Sequence, residues 1–499
     1  MTSCEIKNVV ILGGGTAGWL SAAMLSKVMG NTINITVVDS AKIGTVGVGE
    51  ASIPPLVDFN RALGIDEREF MRKTNATIKL GIQFEGWGQG RSNYMHAFGQ
   101  IGKPFPFCDF YHFWLKSQQL GESSSLWDFS LNYQVAKANK FAPLTQIPNT
   151  SLAGVSYAYH FDANLYGEFL KSLSLSRGVV HIDAKVESVS LCPNTGYVTA
   201  LCLDDSQQVT GDLFVDCSGL NALLIDGALN VGYEDWSHWL AADSAYALPT
   251  KLPSADIAPY TRSIAHVNGW QWEIPLQNRV GNGFVFSSRF TDAESALTTL
   301  KSSVQGEQLA EPKLLRFKTG MRRKQWYKNV FAIGLSSGFL EPLESTSIHL
   351  IQTAIIRLIK HFPSVGFEDA QVAASNASFT REMEQIRDFI ILHYKATTRC
   401  DSDFWRWCAQ MEVPSRLEEK LELFKQTGQL IRDGEDLFTE AAWQQVLIGQ
   451  GIQAKKYHPL ANQLTETQRQ DLFSSLKQIY QNMARELPTH RAFLKSYLL

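Results

Sequence analysis

The pattern of apolar and polar positions divides the chain into an α/β beginning and a helical end. Residues 8–12 (NVVIL) form a short apolar, β-branched run, which predicts a buried strand. A glycine turn follows, and residues 18–29 (GWLSAAMLSKVM) carry apolar side chains at helical spacing. Residues 34–39 (NITVVD) read as a second strand, so the chain opens with a βαβ unit that starts a parallel sheet. Strand patterns return at 179–189, 197–203, 212–216 and 329–333. After Glu344 the character changes, and 348–362, 416–431 and 471–487 read as helices. No repeat, coiled coil or low-complexity linker separates these parts, so they are expected to interleave. The prediction is an α/β fold: a region of discontinuous segments over residues 1–350, with a mostly helical C-terminal module, 351–499, packed on it.

Composition adds exclusions. A chain of 499 residues can bury a sizeable core and hold more than one module. It is 44% hydrophobic and 19% charged, the balance of a soluble globular protein. A net charge of -3, with no dense basic patch, gives no footing for nucleic acid. The seven cysteines, Cys4, Cys108, Cys192, Cys202, Cys217, Cys400 and Cys408, are scattered and never spaced as CxxC. Neither a metal site nor a disulfide framework is expected, and a reducing cytoplasm suits them. The opening MTSCEIKN lacks the basic region of a leader. No apolar run reaches the roughly 20 residues that span a bilayer, so no membrane partner is expected.

The first chemistry lies in the glycine turn. Gly13-Gly14-Gly15-Thr16-Ala17-Gly18 fits GxGxxG after a strand and at a helix start. Gly13 permits the tight turn, Gly15 lets the backbone approach a pyrophosphate, and Gly18 lets helix and strand pack closely. The helix start offers N–H groups and positive potential to phosphates. Asp39, at the end of the second strand, can accept a ribose hydroxyl. The motif alone does not separate NAD from FAD. Residues 211–219 (GDLFVDCSG) and 329–338 (NVFAIGLSSG) favour FAD, because with the first motif they resemble the segmented FAD site of flavoprotein monooxygenases.

A second set of motifs is more specific. Trp270-Gln271-Trp272-Glu273-Ile274-Pro275 reads WxWxIP, which on its own describes a strand with two tryptophans on one face. It is also the signature of the flavin-dependent tryptophan halogenase family, which this chain resembles from about residue 8 to about residue 350. Residues 47–54 (GVGEASIP) resemble that family's flavin-contacting segment, and Lys79 sits in IKLGIQFEGW, where the family carries its catalytic lysine. His96-Ala97-Phe98 resembles its His-Pro-Phe segment, with Ala in place of Pro. Residues 317–329 (FKTGMRRKQWYKN) and 338–346 (GFLEPLEST) look like further family blocks.

The resemblance implies an enzyme that uses reduced FAD, oxygen and a halide, chloride or bromide, to make hypohalous acid and passes it through a tunnel to an aromatic ring. It assigns FAD to Gly13, Gly15, Thr16, Ala17, Gly18, Asp39, Ser40, Gly49, Glu50, Ala51, Val186, Leu335, Ser345 and Ile348. Lys79 is the expected catalytic residue, either as an ammonium that orients hypohalous acid or as an amine that forms a haloamine. Glu344 is the expected carboxylate that polarises the oxidant and takes the ring proton, with Glu341 its rival. Thr346 and Ser347 are expected to give backbone N–H groups to the halide at a helix start, Ser347 standing where the family often has Gly. Ser345 or Thr346 could instead simply cap that helix. Trp270 and Trp272 are expected to wall the tunnel, and His96 and Phe98 to sandwich the substrate ring.

Family members that act on free tryptophan clamp its amino and carboxylate groups with tandem tyrosines and a nearby glutamate. This chain has no Tyr-Tyr pair, and its comparable stretch, 437–451, reads LFTEAAWQQVLIGQG. Indole or a simple derivative is therefore favoured over free tryptophan; a phenol, a pyrrole or a carrier-bound ring remains open. Phe404-Trp405-Arg406-Trp407 either lines the substrate mouth or is packing between the helical module and the FAD region. No NAD(P)H domain is apparent, so a separate flavin reductase is expected, and the family suggests a homodimer. The alternatives are an aromatic monooxygenase and a non-catalytic flavin-binding protein.

Overall fold

A computed structural model describes residues 5–42, 49–89, 92–253, 256–432, 434 and 436–499. Gly47 and Val48, part of the expected flavin-contacting segment, lie outside them, as does Cys4. The chain forms two compact units, each assembled from three stretches: Met1–Ala76, Phe161–Asp243 and Arg316–Glu384 in the first, Thr77–His160, Ser244–Leu315 and Gln385–Leu499 in the second.

The first unit is built on a six-stranded sheet. Its order is Trp326–Tyr327, Val330–Ala332, Leu213–Asp216, Asn8–Leu12, Asn34–Asp39 and Val180–Asp183. All neighbours run parallel except the first pair, which is antiparallel. Asn8–Leu12 lies inside the sheet, with Val10 between Thr36 and Phe214. A parallel strand covered on both faces needs a continuous apolar run, which is what NVVIL and LFVD supply. Val10, Leu12, Val38, Phe214 and Val330 share one buried cluster. The helix Thr16–Met29 follows the first strand, and Ser347–Lys360 buries Ile348, Ile351, Ile355 and Leu358 along one face.

The second unit centres on a seven-stranded sheet, in which Gly269–Pro275, the strand of the two tryptophans, pairs with Val280–Phe286 on one side and Thr261–His266 on the other. Arg262 ties three strands together, with Nε 2.7 Å from Glu85 and Nη1 2.8 Å from Glu273. The C-terminal part is helical, over Asp403–Gln410, Ser415–Thr427, Glu440–Gly449, Glu466–Glu486 and His490–Leu498.

The expectation over 179–189 is corrected to two strands, Val180–Asp183 and Val186–Leu191, which enter different sheets. The helix expected over 416–431 stops at Thr427, because Gly428 takes a left-handed φ of 73° and its N–H closes on the Phe424 carbonyl. Among the described residues no helix is long and apolar enough to cross a membrane.

Candidate active site

The first unit gathers the glycine turn, Asp39 and the start of the helix Ser347–Lys360. Gly13 has φ 111°, and a β-carbon there would sit 2.2 Å from the Cys217 carbonyl oxygen. One on Gly18 would sit 1.8 Å from the Gly13 oxygen, so strand end and helix start touch backbone to backbone. Gly14 is bare for a different reason: the Asp39 carboxylate lies against it, and Asp39 also meets His181 Nε2. Gly15 alone of the four faces open space, at the N-cap of Thr16–Met29, where no side chain caps the helix. These features fit FAD, whose pyrophosphate needs a bare backbone and unclaimed N–H groups.

Two further expected FAD residues of this unit, Val186 and Leu335, lie in segments tied to these elements. Ala184 N–H bonds the Asp39 carbonyl at 2.8 Å and brings the strand that begins at Val186 alongside. A β-carbon on Gly334 would lie 2.9 Å from the Ala17 methyl, so the turn Gly334–Ser336, with exposed Leu335, rests on the helix start. Ser40 is buried, and Gly49–Ala51 forms a short strand. Burial pushes the Glu50 carboxyl up to about 7, so it holds a proton where most carboxyls are charged.

Asp216, the acid of GDLFVDCSG, has a structural role. Its carboxylate accepts Ser218 N–H at 3.0 Å, Leu224 N–H at 2.9 Å and Ile225 N–H at 2.8 Å, and so folds the chain beyond the strand.

Glu341 and Glu344 are both buried around the turn Pro342–Glu344, so burial does not choose between them. Ser345 follows with a left-handed φ of 58°, and Ile348 is buried. Thr346 occupies the N-cap of Ser347–Lys360 without a side-chain cap bond. The Thr346 side chain therefore does not cap that helix start.

The second unit holds the lysine. Lys79 is fully buried, and lysines are almost never so unless paired. It ends the three-residue strand Thr77–Lys79, and its Nζ lies 5.4 Å from the Phe98 ring centroid. The rings of His96 and Phe98 are 6.4 Å apart and 80° to each other, edge to face and not as a parallel pair. Trp270 and Trp272 project from one face of their strand, 6.3 Å between centroids, and both are buried. The Trp272 ring lies flat over Gly283 of the next strand, where any β-carbon would overlap it.

Comparison with known proteins accords with this geometry. The family model described as tryptophan halogenase matches residues 8–466. The chain belongs to the tryptophan halogenase family. The halogenase Xcc4156 from Xanthomonas campestris, a flavin-dependent enzyme, is similar at 46% identity and TM-score 0.95, each chain 99% covered. BrvH from Brevundimonas sp. BAL3, also a flavin-dependent halogenase, is 41% identical with TM-score 0.95 and 99% coverage of both chains. Tryptophan 7-halogenase RebH from Lentzea aerocolonigenes is 31% identical over 99% of both chains. The present chain is thus an enzyme, a flavin-dependent halogenase that consumes reduced FAD, oxygen and a halide.

The halogenase adds residues that its motifs did not reveal. Gln445, on the helix Glu440–Gly449, accepts Ala97 N–H at 3.0 Å and donates to the Ala97 carbonyl at 3.1 Å, clasping the backbone between His96 and Phe98. Phe438 stacks on Phe389 at 3.8 Å, and both flank His96, at 6.1 and 5.7 Å. Trp443 packs on Phe389 at 5.0 Å. Phe438 and Trp443, in the stretch 437–451, thus form an aromatic cluster with Phe389, whose one sequence signal was the absence of a Tyr-Tyr pair. Phe404 and Trp405 are buried against Tyr394, and the Trp405 indole N–H bonds the His266 carbonyl at 2.7 Å. That cluster packs within the second unit.

Proposed function

We propose that this halogenase places chlorine or bromine on an electron-rich ring of the indole class, with Lys79 and Glu344 guiding the transfer. The observation that carries this reading is the fully buried Lys79 beside Phe98, whose ring meets His96 edge to face. Bound reduced FAD supplies, with oxygen, the oxidising power that turns halide into hypohalous acid. Thr346 and Ser347 hold the halide by backbone N–H groups. Trp270 and Trp272 keep the organic substrate from the flavin. Lys79, as an ammonium, holds hypohalous acid by a hydrogen bond to its oxygen; the ring carbon attacks the halogen, the halogen–oxygen bond breaks, and the oxygen takes a proton from Lys79 and leaves as water. Glu344 stabilises the cationic ring and takes its proton.

The substrate ring lies against His96, Phe98 and Phe438. RebH and SttH from Streptomyces toxytricini carry names that state tryptophan halogenation, which supports an indole nucleus. The aromatic cluster of Phe438 and Trp443, in a chain without a Tyr-Tyr pair, supports an indole without the charged amino-acid tail. A separate flavin reductase supplies the reduced FAD.

The test is a product assay with FAD, a flavin reductase, NADH, oxygen and indole, bromide and chloride in parallel, read by mass spectrometry. A halide-dependent product with the halogen isotope pattern is expected. Lys79→Ala should abolish it and keep FAD binding, and Glu344→Gln should slow it about 100-fold or more. A hydroxylated ring formed without halide would overturn the reading, and a wild-type rate in Glu344→Gln would move the proton acceptor to Glu341.

A further inference from the structure

Lys79 stands on a strand too short to fix itself. Thr77–Lys79 pairs on one side only, antiparallel to Ala158–Asp162, with Thr77 opposite His160, Ile78 opposite Tyr159 and Lys79 opposite Ala158. Its other side is a sheet edge. The Ile78 N–H points off that edge, and Ile78 is buried away from water.

What meets this N–H is a histidine from the far end of the chain. His490 Nε2 lies 3.1 Å from Ile78 N, and His490 Nδ1 lies 2.9 Å from the Ile257 carbonyl. A carbonyl can only accept, so Nδ1 carries the proton and Nε2 presents its lone pair to Ile78. An imidazolium has no lone pair and would turn N–H against N–H. Burial keeps the ring neutral, pushing it down to about 4. His490 thus takes the place of a missing neighbouring strand for a single hydrogen bond.

The ring is itself firmly seated. It is fully buried at the first position of His490–Leu498, and its backbone N–H bonds the Asn139 carbonyl at 2.8 Å. Thr489 caps the helix by accepting Ala492 N–H, and Phe493 packs on Phe141 at 4.8 Å. On the other face of the strand, Thr77 Oγ1 donates to the Pro275 carbonyl at 2.6 Å and lies 3.1 Å from His160 Nδ1. His160 Nε2 lies 2.9 Å from Thr261 Oγ1. The single Thr77 proton is spent on Pro275, so His160 Nδ1 donates to Thr77 Oγ1, and burial together with the Lys79 charge keeps the ring neutral. Leu80 N–H bonds the Pro259 carbonyl at 2.8 Å. Thr77, Ile78 and Leu80 are each pinned from outside the strand, and Lys79 lies between the last two.

We infer that His490 is a positioning residue for Lys79, holding the strand so that the ammonium meets hypohalous acid in register. His490 lies beyond the stretch that the family model matches, which ends at residue 466. This inference rests on the proposed role of Lys79, since a displaced lysine matters only if the lysine guides the oxidant. A misplacement of about 1 Å can cost about 100-fold in rate.

Two near-isosteric variants divide the two bonds of the ring. His490→Asn places an amide at the Nδ1 position, keeping Ile257 and losing Ile78. His490→Gln reaches to the Nε2 position and keeps an acceptor for Ile78. Both would be assayed for kcat and KM with indole and bromide, for hypobromous acid lost to a β-diketone scavenger, and for reductive methylation of each lysine by peptide mass spectrometry. His490→Asn is expected to lose about tenfold or more in kcat with little change in KM. It should also leak hypobromous acid and expose Lys79 to methylation while other lysines keep their wild-type pattern. His490→Gln should restore all three readouts. Equal behaviour of the two variants, wild-type Lys79 protection in His490→Asn, or methylation rising at every lysine would each overturn the inference. Should Lys79→Ala itself halogenate normally, the proposed role of Lys79 falls, and the methylation pattern still decides whether His490 positions it.

Discussion

Gly14 lies so close to Asp39 that a β-carbon on it would sit 1.7 Å from the Asp39 carboxylate oxygen, whereas one on its neighbour Gly15 would meet nothing within 4 Å. Asp39 fills the space beside Gly14, whereas the space beside Gly15 is open to the proposed FAD. Gly14→Ala should lower stability by about 1–3 kcal/mol through overpacking and displace Asp39 from His181. Gly15→Ala should leave stability within about 0.5 kcal/mol of wild type and weaken FAD binding about tenfold or more, because the methyl enters the pyrophosphate space. Denaturant unfolding and a flavin titration of each variant check this; equal FAD affinities for wild type and Gly15→Ala would place the pyrophosphate elsewhere.

The Glu50 carboxyl, raised to about 7 by burial from an ordinary 4.5, gives a signed pH dependence. Between these values the folded protein holds a proton that the unfolded chain has released. Its contribution is therefore present at low pH and lost as pH rises through about 7. Glu50→Gln, neutral at every pH, should remove that loss. Unfolding midpoints at pH 5.5 and 8 measure it, and the variant should show the flatter profile.

His490 acts in the opposite direction. Burial depresses it to about 4 from 6.5, so the unfolded chain binds the extra proton in that window. Stability should fall as pH drops from about 6.5 towards 4, by up to about 1.4 kcal/mol per pH unit for this group alone. His112, lowered to about 4 by burial and by the neighbouring His458, adds to the same slope. In His490→Gln the acid limb should be shallower; an unchanged limb would mean that His490 does not titrate with unfolding.

Trp272 owes its pose to Gly283, where a β-carbon would fall 1.9 Å from the indole ring. Gly283→Ala should push the ring aside and destabilise the second unit by about 1–3 kcal/mol. If Trp272 walls the route to the substrate, the same variant should release more hypohalous acid to a scavenger per halogenated product. A stability loss with unchanged release would leave Trp272 a packing residue.

Much of the first unit was legible because its physics is local. Asn8–Leu12 and Asn34–Asp39 stand where their apolar runs put them, and GxGxxG sits at the junction that its glycines require. The strand-like pattern at 179–189 forms two strands, Val180–Asp183 beside Asn34–Asp39 and Val186–Leu191 in another sheet, and nothing in its alternation marks the break. The 27-residue helix Asp369–Lys395 went unread, since its first half, DAQVAASNASFT, offers few apolar positions from which to read a period. The capping box of Thr465 and Gln468 at the start of Glu466–Glu486 was readable as T-x-x-Q, yet the helix was expected only from residue 471. His490 and Gln445 could not be read at all. Each acts on backbone hundreds of residues away, and a lone histidine or glutamine carries no spacing to betray such a partner.

The interleaving of the two units bears on how the protein is made. The chain passes from one unit to the other after Ala76, His160, Asp243, Leu315 and Glu384. Neither unit is complete when its first stretch leaves the ribosome: the first awaits residues up to 384, the second residues of the helix His490–Leu498. Early strands with apolar faces must therefore wait, exposed, for partners not yet synthesised, which favours chaperone engagement over vectorial domain-by-domain folding. A nascent chain stalled before residue 384 should be protease-sensitive throughout, and the second unit closes only once the helix His490–Leu498, which delivers His490 to Ile78, has emerged.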